Sequence, residues 1–276
     1  MKNQLFIFLA LVALLCVSCN ISERIVFNDD MSGQYESAFD MSSIMKLANQ
    51  AAPKDPDKEY KVMDTLMVFS EIMETYKDSI SQLSVEEQTK LEKLKGMTMR
   101  MHMDEREGIF KMKVVKGFSN FDDIAFISND MNDLFDVAKQ QGGANDEQSP
   151  VDDLMKAQPV TYTFDNNVFR RVDIETLIEE DAAFSKQAKD NTSATKTESN
   201  SKMGDQMDEM LGQFTEVLKK STMTLEYVFP RVVTSVSHEG ATVSDDGKTV
   251  TFVIDMQTLQ EEKELLKSFE VVLEEK

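Results

Sequence analysis

Tryptophan is absent from this 276-residue chain, and histidine occurs only twice, as His102 and His238. Cysteine also occurs twice, and both copies, Cys16 and Cys19, lie close to the start. These shortages exclude much chemistry. The body of the chain holds no thiol, so it forms no disulfide and no Cys/His cluster with zinc spacing. No Gly-rich phosphate loop, nucleophile elbow or HExxH helix occurs. Positive charge is scarce as well: 30 Lys and Arg face 50 Asp and Glu, a net charge of −20. That balance excludes nucleic acid as a partner and any general electrostatic attraction to anionic headgroups.

Long apolar runs are missing too, apart from "LFIFLALVALL" at Leu5–Leu15. At eleven residues it falls short of the roughly 20 needed to span a bilayer, but it suits the h-region of a signal peptide that begins with Met1 and Lys2. "CVSCN" follows. Val17 and Ser18 before Cys19 match a lipobox, and the sequence resembles bacterial lipoproteins over residues 1–20. Cys16 is the rival anchor, but it would put bulky Leu15 at the cleavage position. The resemblance implies that residues 1–18 are removed and that Cys19 carries acyl chains, each buried methylene contributing about 0.8 kcal/mol to membrane anchoring. Asn20 stands after the anchor where an inner-membrane retention signal would place aspartate, and "ISER" lacks the acidic cluster of a surface-export signal. The expected location is therefore the cell envelope, on the periplasmic face of the outer membrane.

Processing leaves 258 residues and, with Lys2 gone, a net charge of −21. The expectation is a single lipid-anchored domain, 19–276, with polar loops near 52–59, 141–158 and 189–202. Between the loops the apolar period switches between two and 3.6. Strands are expected at 23–28, 34–40, 97–103, 109–118, 160–165, 168–172, 222–229, 231–237, 249–254 and 268–273. The first two flank "DDMSG", a hairpin turn in which Gly33 is expected to supply a positive φ. Helices are expected over 70–83 (Ile72, Met73, Tyr76, Ile80 and Leu83 on one face), from a capping box at Ser84–Glu87 up to Gly96, over 121–139, and over 203–219. The fold class is α+β, a twisted, mostly antiparallel sheet with helices packed on one face.

"FDMSSIM", "VDIETLI" and "IDMQTLQ" echo one another, each placing an aspartate (Asp40, Asp173, Asp255) between a strand and an apolar-spaced stretch. The economical reading is helix N-capping rather than three carboxylates converging on a metal. "NDDMSG" and "SDDGK" lack the alternating ligands and closing acid of a calcium loop, and their composition suits hairpin turns. The pairs Asp122-Asp123 and Asp152-Asp153 and the run Glu179-Glu180-Asp181 would serve a carboxylate-based hydrolase, but solvated faces and caps account for them. His238, in "SVSHEG", reads as an exposed turn residue, since sequence neighbours do not assemble a triad.

"GMTMRMHMD" places Met97, Met99, Met101 and Met103 on one face of a strand, and Thr98, Arg100 and His102 on the other. Thioethers suit Cu(I), yet the histidine faces away from the sulfurs, so the methionines are expected to be core. The stretch 225–255, a strand ending in Phe229-Pro230, a second strand and "DDGK" leading into "TVTFVID", resembles LppM-type lipoprotein domains. That resemblance implies a twisted sheet with inserted helices and assigns no catalytic residue. No cofactor, metal or catalytic residue is expected. The functional expectation is a non-enzymatic binding or structural lipoprotein that meets the membrane through its anchor and an envelope protein as partner. Its alternative is a carrier or sensor of apolar ligands such as lipid, for which nineteen methionines and seventeen phenylalanines supply an adaptable interior.

Overall fold

The computed structural model describes residues 20–51, 59–125, 127, 160–174, 216–217, 219–262 and 264–275. Cys19, almost all of the polar loops, and most of the helices expected over 121–139 and 203–219 lie outside the described residues.

Alternation decides the first hairpin. β1 (Asn20–Phe27) buries Glu23, Ile25 and Phe27, and β2 (Gly33–Asp40) buries Tyr35, Ser37 and Phe39. They pair antiparallel with Ile25 opposite Tyr35. The positive φ in the turn belongs to Met31 (φ 64°), not to Gly33. Gly33 is required for space instead: a Cβ there would sit 2.0 Å from the Val26 carbonyl oxygen.

α1 (Ser42–Ala51) follows, then β3 (Val62–Val68), a strand the polar and apolar pattern did not announce. The helix expected over 70–83 is two pieces, α2 (Phe69–Thr75) and α3 (Lys77–Ile80). It breaks at Tyr76 (φ −105°, ψ 20°), which puts the second piece out of phase with the first. Tyr76 and Leu83, expected inward, are exposed as a result. α4 (Val85–Lys93) starts from the Ser84/Glu87 capping box, with both reciprocal bonds formed, and Gly96 (φ 85°) turns the chain into β4 (Met97–Asp104). β5 (Ile109–Phe118) completes that hairpin. Of the helix expected over 121–139, a 3-10 turn at Phe121–Asp123 is described, and Ile124 and Ile127 are buried.

β6 (Val160–Asp165) and β7 (Val168–Asp173) form a tight hairpin. Asn166 and Asn167, with φ of 47° and 64°, adopt the paired left-handed geometry that suits strand twist. β8 (Thr222–Val228), β9 (Val233–Val236), β10 (Thr242–Val243), β11 (Thr249–Asp255), α5 (Met256–Glu261) and β12 (Ser268–Leu273) follow.

The strands form two sheets, an eight-stranded one ordered β10-β11-β8-β1-β2-β5-β4-β3 and a four-stranded one ordered β6-β7-β12-β9. Among the described strands one pairing, β1 with β8, is parallel and the rest are antiparallel. The class is α+β with largely antiparallel sheets, as expected. The second sheet is the addition: it covers part of the inner face of the first. Phe229-Pro230 marks the crossing, since β8 lies in the large sheet and β9 in the small one. Aromatic rings fill the gap between them. Phe27 contacts Phe169 at 5.3 Å and Phe229 at 5.1 Å between centroids, and Phe169 contacts Tyr227 at 4.9 Å. The methionine strand packs as its period required over most of its length: Met97 and Met99 are buried and Met101 packs against the core, while Met103 is half-buried near the strand's end.

Candidate functional site

Two polar groupings stand out, one inside the molecule and one on its outer face. The inner one arises because Glu23 and Arg171 occupy inward positions of their strands. Glu23 is in phase with Ile25 and Phe27 on β1, and Arg171 is in phase with Phe169 on β7. The two meet between the sheets, with Arg171 Nε 3.4 Å from the Glu23 carboxylate and their side chains 2 % and 6 % exposed. Tyr227 Oη donates to Glu23 Oε1 at 2.6 Å, and Arg171 also donates to the Leu266 carbonyl at 3.5 Å. The rings of Tyr35 and Tyr162 lie 6.1 Å apart. The Tyr162 hydroxyl is buried with no hydrogen-bond partner of ordinary geometry among the described residues.

Burial, and then the Glu23 charge, pushes the Tyr35, Tyr162 and Tyr227 phenols above their ordinary value. Burial works against the Arg171 guanidinium, but Glu23 together with the Tyr227, Tyr162 and Tyr35 hydroxyls outweighs it and keeps the cation charged. A guanidinium locked in this state donates hydrogen bonds and shuttles no proton. The cluster is a clamp between sheets.

The outer grouping is an open cleft of 510 Å³ on the solvent face of the large sheet, lined by Asn20, Ser22, Asp40, Arg100, His102 and Lys111 among others. Strand register builds it. Asn20 lies opposite Asp40, Asp40 opposite Lys111, Lys111 opposite His102 and His102 opposite Asp64. Lys113 and Arg100 are paired in the next outward row. Lys111 Nζ is 3.2 Å from Asp40, Lys113 Nζ 2.7 Å from Glu36, and Arg100 3.1 Å from Asp64, with His102 Nδ1 3.8 Å from the same carboxylate. Partial burial pushes Asp40 up, but hydrogen bonds from Ser42 and the Lys111 ammonium hold it below the usual range. Hydrogen bonds from Arg100 do the same for Asp64. Asp40 and Asp64 are thus held ionised at neutral pH, and the grouping can offer ion pairs and hydrogen bonds.

The remaining sequence candidates divide cleanly. Asp255 caps α5 by accepting from Thr258 N at 2.7 Å. Asp40 accepts from Ser42 N at 3.1 Å one residue before the cap position, and Asp173 immediately precedes the helical Ile174. Asp30 accepts from Ser32 N and Oγ, and Asp246 from Ser244 Oγ and Lys248 N, so these carboxylates hold their own turns. Asp123 accepts from the Ser119 and Asn120 amides. Asp152, Asp153, Glu179, Glu180 and Asp181 lie outside the described residues. Among the described residues no three His, Cys, Asp or Glu come together as metal ligands. His238 corrects its expectation: its ring lies 5.1 Å from Phe252 and 5.5 Å from Phe269, which are themselves 5.6 Å apart, so it joins their cluster and the aromatic core extends to it.

Sequence reasoning missed the Glu23–Arg171 clamp, although a signal was present. Each charge falls on the parity of its strand's buried apolar residues, and the two have opposite sign. It also missed the cleft, because the row from Asn20 to Asp64 is assembled by register between strands far apart in the chain. Cys19 lies outside the described residues, but the first described residue, Asn20, is already paired in the sheet.

Comparison with known proteins adds little. No family model matches the chain, and no curated protein matches it. Among solved structures, the solution structure of the folded domain of the LppM protein from Mycobacterium tuberculosis covers 92 % of this chain and 88 % of its own length. Its sequence identity is 10 % and its TM-score 0.36, a likeness too slight to carry fold family, ligand or activity across.

Proposed function

We propose that the protein is a lipid-anchored lipoprotein of the cell envelope, acting as a non-enzymatic binding or structural domain. One observation carries the reading: an eleven-residue apolar run ends in a lipobox at Cys19, and the next residue opens β1. Acylated Cys19 then ties the domain to the bilayer with no intervening linker. Asp255, Asp30 and Asp246 serve a cap and turns, which supports a structural reading of these carboxylates over a hydrolytic one. Asn20 after the anchor favours the outer membrane, and its periplasmic leaflet follows from the lack of an acidic export cluster. An envelope protein is the partner that a domain so placed would meet.

Intact-mass analysis of membrane-extracted protein tests the reading. Loss of residues 1–18 with acyl mass on Cys19, abolished in Cys19→Ala, is expected, and an unacylated chain released to the periplasm refutes it. Protease shaving of intact cells tests the leaflet, with rapid loss of the domain placing it on the surface instead.

A second reading, a carrier of apolar ligands, draws on the methionine band across β3, β4 and β5. Met63 faces Met103, Met67 faces Met99, and Met101 faces Met112. Lipid extraction of the purified protein followed by mass spectrometry tests it, and an empty protein refutes it.

A further inference from the structure

We propose that the outer cleft around Lys111 and Lys113 is the membrane-facing surface of the domain and holds the phosphates of lipid headgroups. The inference rests on acylation of Cys19, and it adds which face of the fold meets the bilayer and through which residues. A Cα–Cα step across a trans peptide is about 3.8 Å, so an acylated Cys19 places Asn20 at the headgroup layer. Asn20 cannot swing away from the sheet. It is held in β1 between Asp40 and Thr222, and Thr222 Oγ1 donates to its side chain at 2.9 Å. With strands about 4.8 Å apart, Lys111, two strands from Asn20, lies about 10 Å along the same sheet edge. The row that continues through His102 to Asp64 is therefore brought to the bilayer by the anchor itself.

The chemistry of the row suits that neighbour. The chain carries a net charge of −20 before processing, so a headgroup layer repels most of its surface. The surface here departs from that average: Arg100, Lys111 and Lys113 offset the carboxylates of Asp64, Asp40 and Glu36 one for one, so this face carries no excess of negative charge from these pairs. The Lys111 and Lys113 side chains are 58 % and 48 % exposed. Their carboxylate partners hold the ammonium groups in place while leaving them open to a phosphate oxygen. Exposed ion pairs of this kind exchange partners at little cost, so phosphate can share Lys111 with Asp40. The occupant is the lipid headgroup, because the anchor delivers headgroups to this cleft at high effective concentration.

The test uses the acylated full chain in phosphatidylglycerol vesicles and, separately, in a phosphate-free non-ionic detergent. Amine acetylation rates are read lysine by lysine by mass spectrometry. Lys95 is the internal reference, since it is 62 % exposed and precedes the opposite end of β4. Lys111 and Lys113 are expected to slow in vesicles relative to Lys95 by about fivefold, the change one basic residue is worth at an anionic surface. Unchanged ratios in protein that floats with the vesicles and carries acyl mass on Cys19 overturn this inference and leave the anchor standing. A chain without acyl mass overturns both. Slowing in detergent on adding inorganic phosphate marks a site for soluble anions and overturns the membrane assignment.

Discussion

The Glu23–Arg171 clamp makes the sharpest prediction about this fold. At 3.4 Å and an effective dielectric of about 20, the two charges attract by about 5 kcal/mol. Dehydrating them offsets much of that, so the net worth of the pair is small while the cost of breaking it is large. Arg171→Met leaves the Glu23 carboxylate buried with Tyr227 as its remaining described partner, and should cost about 3–5 kcal/mol. Glu23→Leu strands the guanidinium and should cost as much, with a further 1–3 kcal/mol or so for the orphaned Tyr227 hydroxyl. The triple variant Glu23→Leu, Arg171→Met, Tyr227→Phe removes every uncompensated charge and should recover most of the loss. Urea unfolding followed by circular dichroism measures all three. Single variants costing less than about 1 kcal/mol would mean that water solvates the pair, and would refute a dry clamp between the sheets.

The tyrosines report the same interior by pH. Phenols raised by burial contribute stability that is full below their ordinary value near 10 and is lost as the pH climbs past it. Spectrophotometric titration should therefore withhold Tyr35, Tyr162 and Tyr227 from ionisation until the chain unfolds, and five phenols ionising together in the folded protein would contradict their burial. Hydrogen bonds from Thr258 hold Asp255 below the usual range, so its stabilisation is present above about pH 3.9 and fades as the pH falls through its lowered value. Asp255→Asn should flatten the acid limb of the stability curve, and an unchanged limb would deny the cap. Ser84→Ala should cost about 1 kcal/mol by removing the α4 cap, measured as a shift in urea midpoint. Met99→Leu should cost less than about 1.5 kcal/mol and Met99→Ala about 2–5 kcal/mol. Equal losses would mean that sulfur chemistry rather than volume matters at Met99.

Several elements were legible without coordinates because their causes are local. Alternation from Met97 named its buried face, and the Ser84/Glu87 spacing named a helix start. Other readings failed where a local pattern has two structural solutions. "DDMSG" calls for a left-handed residue, and the chain places it at Met31 because Gly33 is needed for close approach to Val26. A helical stripe over 70–83 breaks at Tyr76. His238 looked exposed because the rings it packs beside, Phe252 and Phe269, come from β11 and β12. β3 was missed because an edge strand with Val62 and Leu66 facing solvent carries a weak pattern.

The sequence by itself determined the acidic balance, the local hairpins and which residues of each strand share a face. These follow from backbone geometry and composition over a few residues. The tertiary structure alone decided that β1 and β8 lie side by side, that the chain changes sheets after Pro230, that Glu23 meets Arg171 across 148 positions, and that Lys111 stands two strands from Asn20. Such neighbours depend on how the whole chain buries its apolar faces together, and no short window of sequence contains that sum.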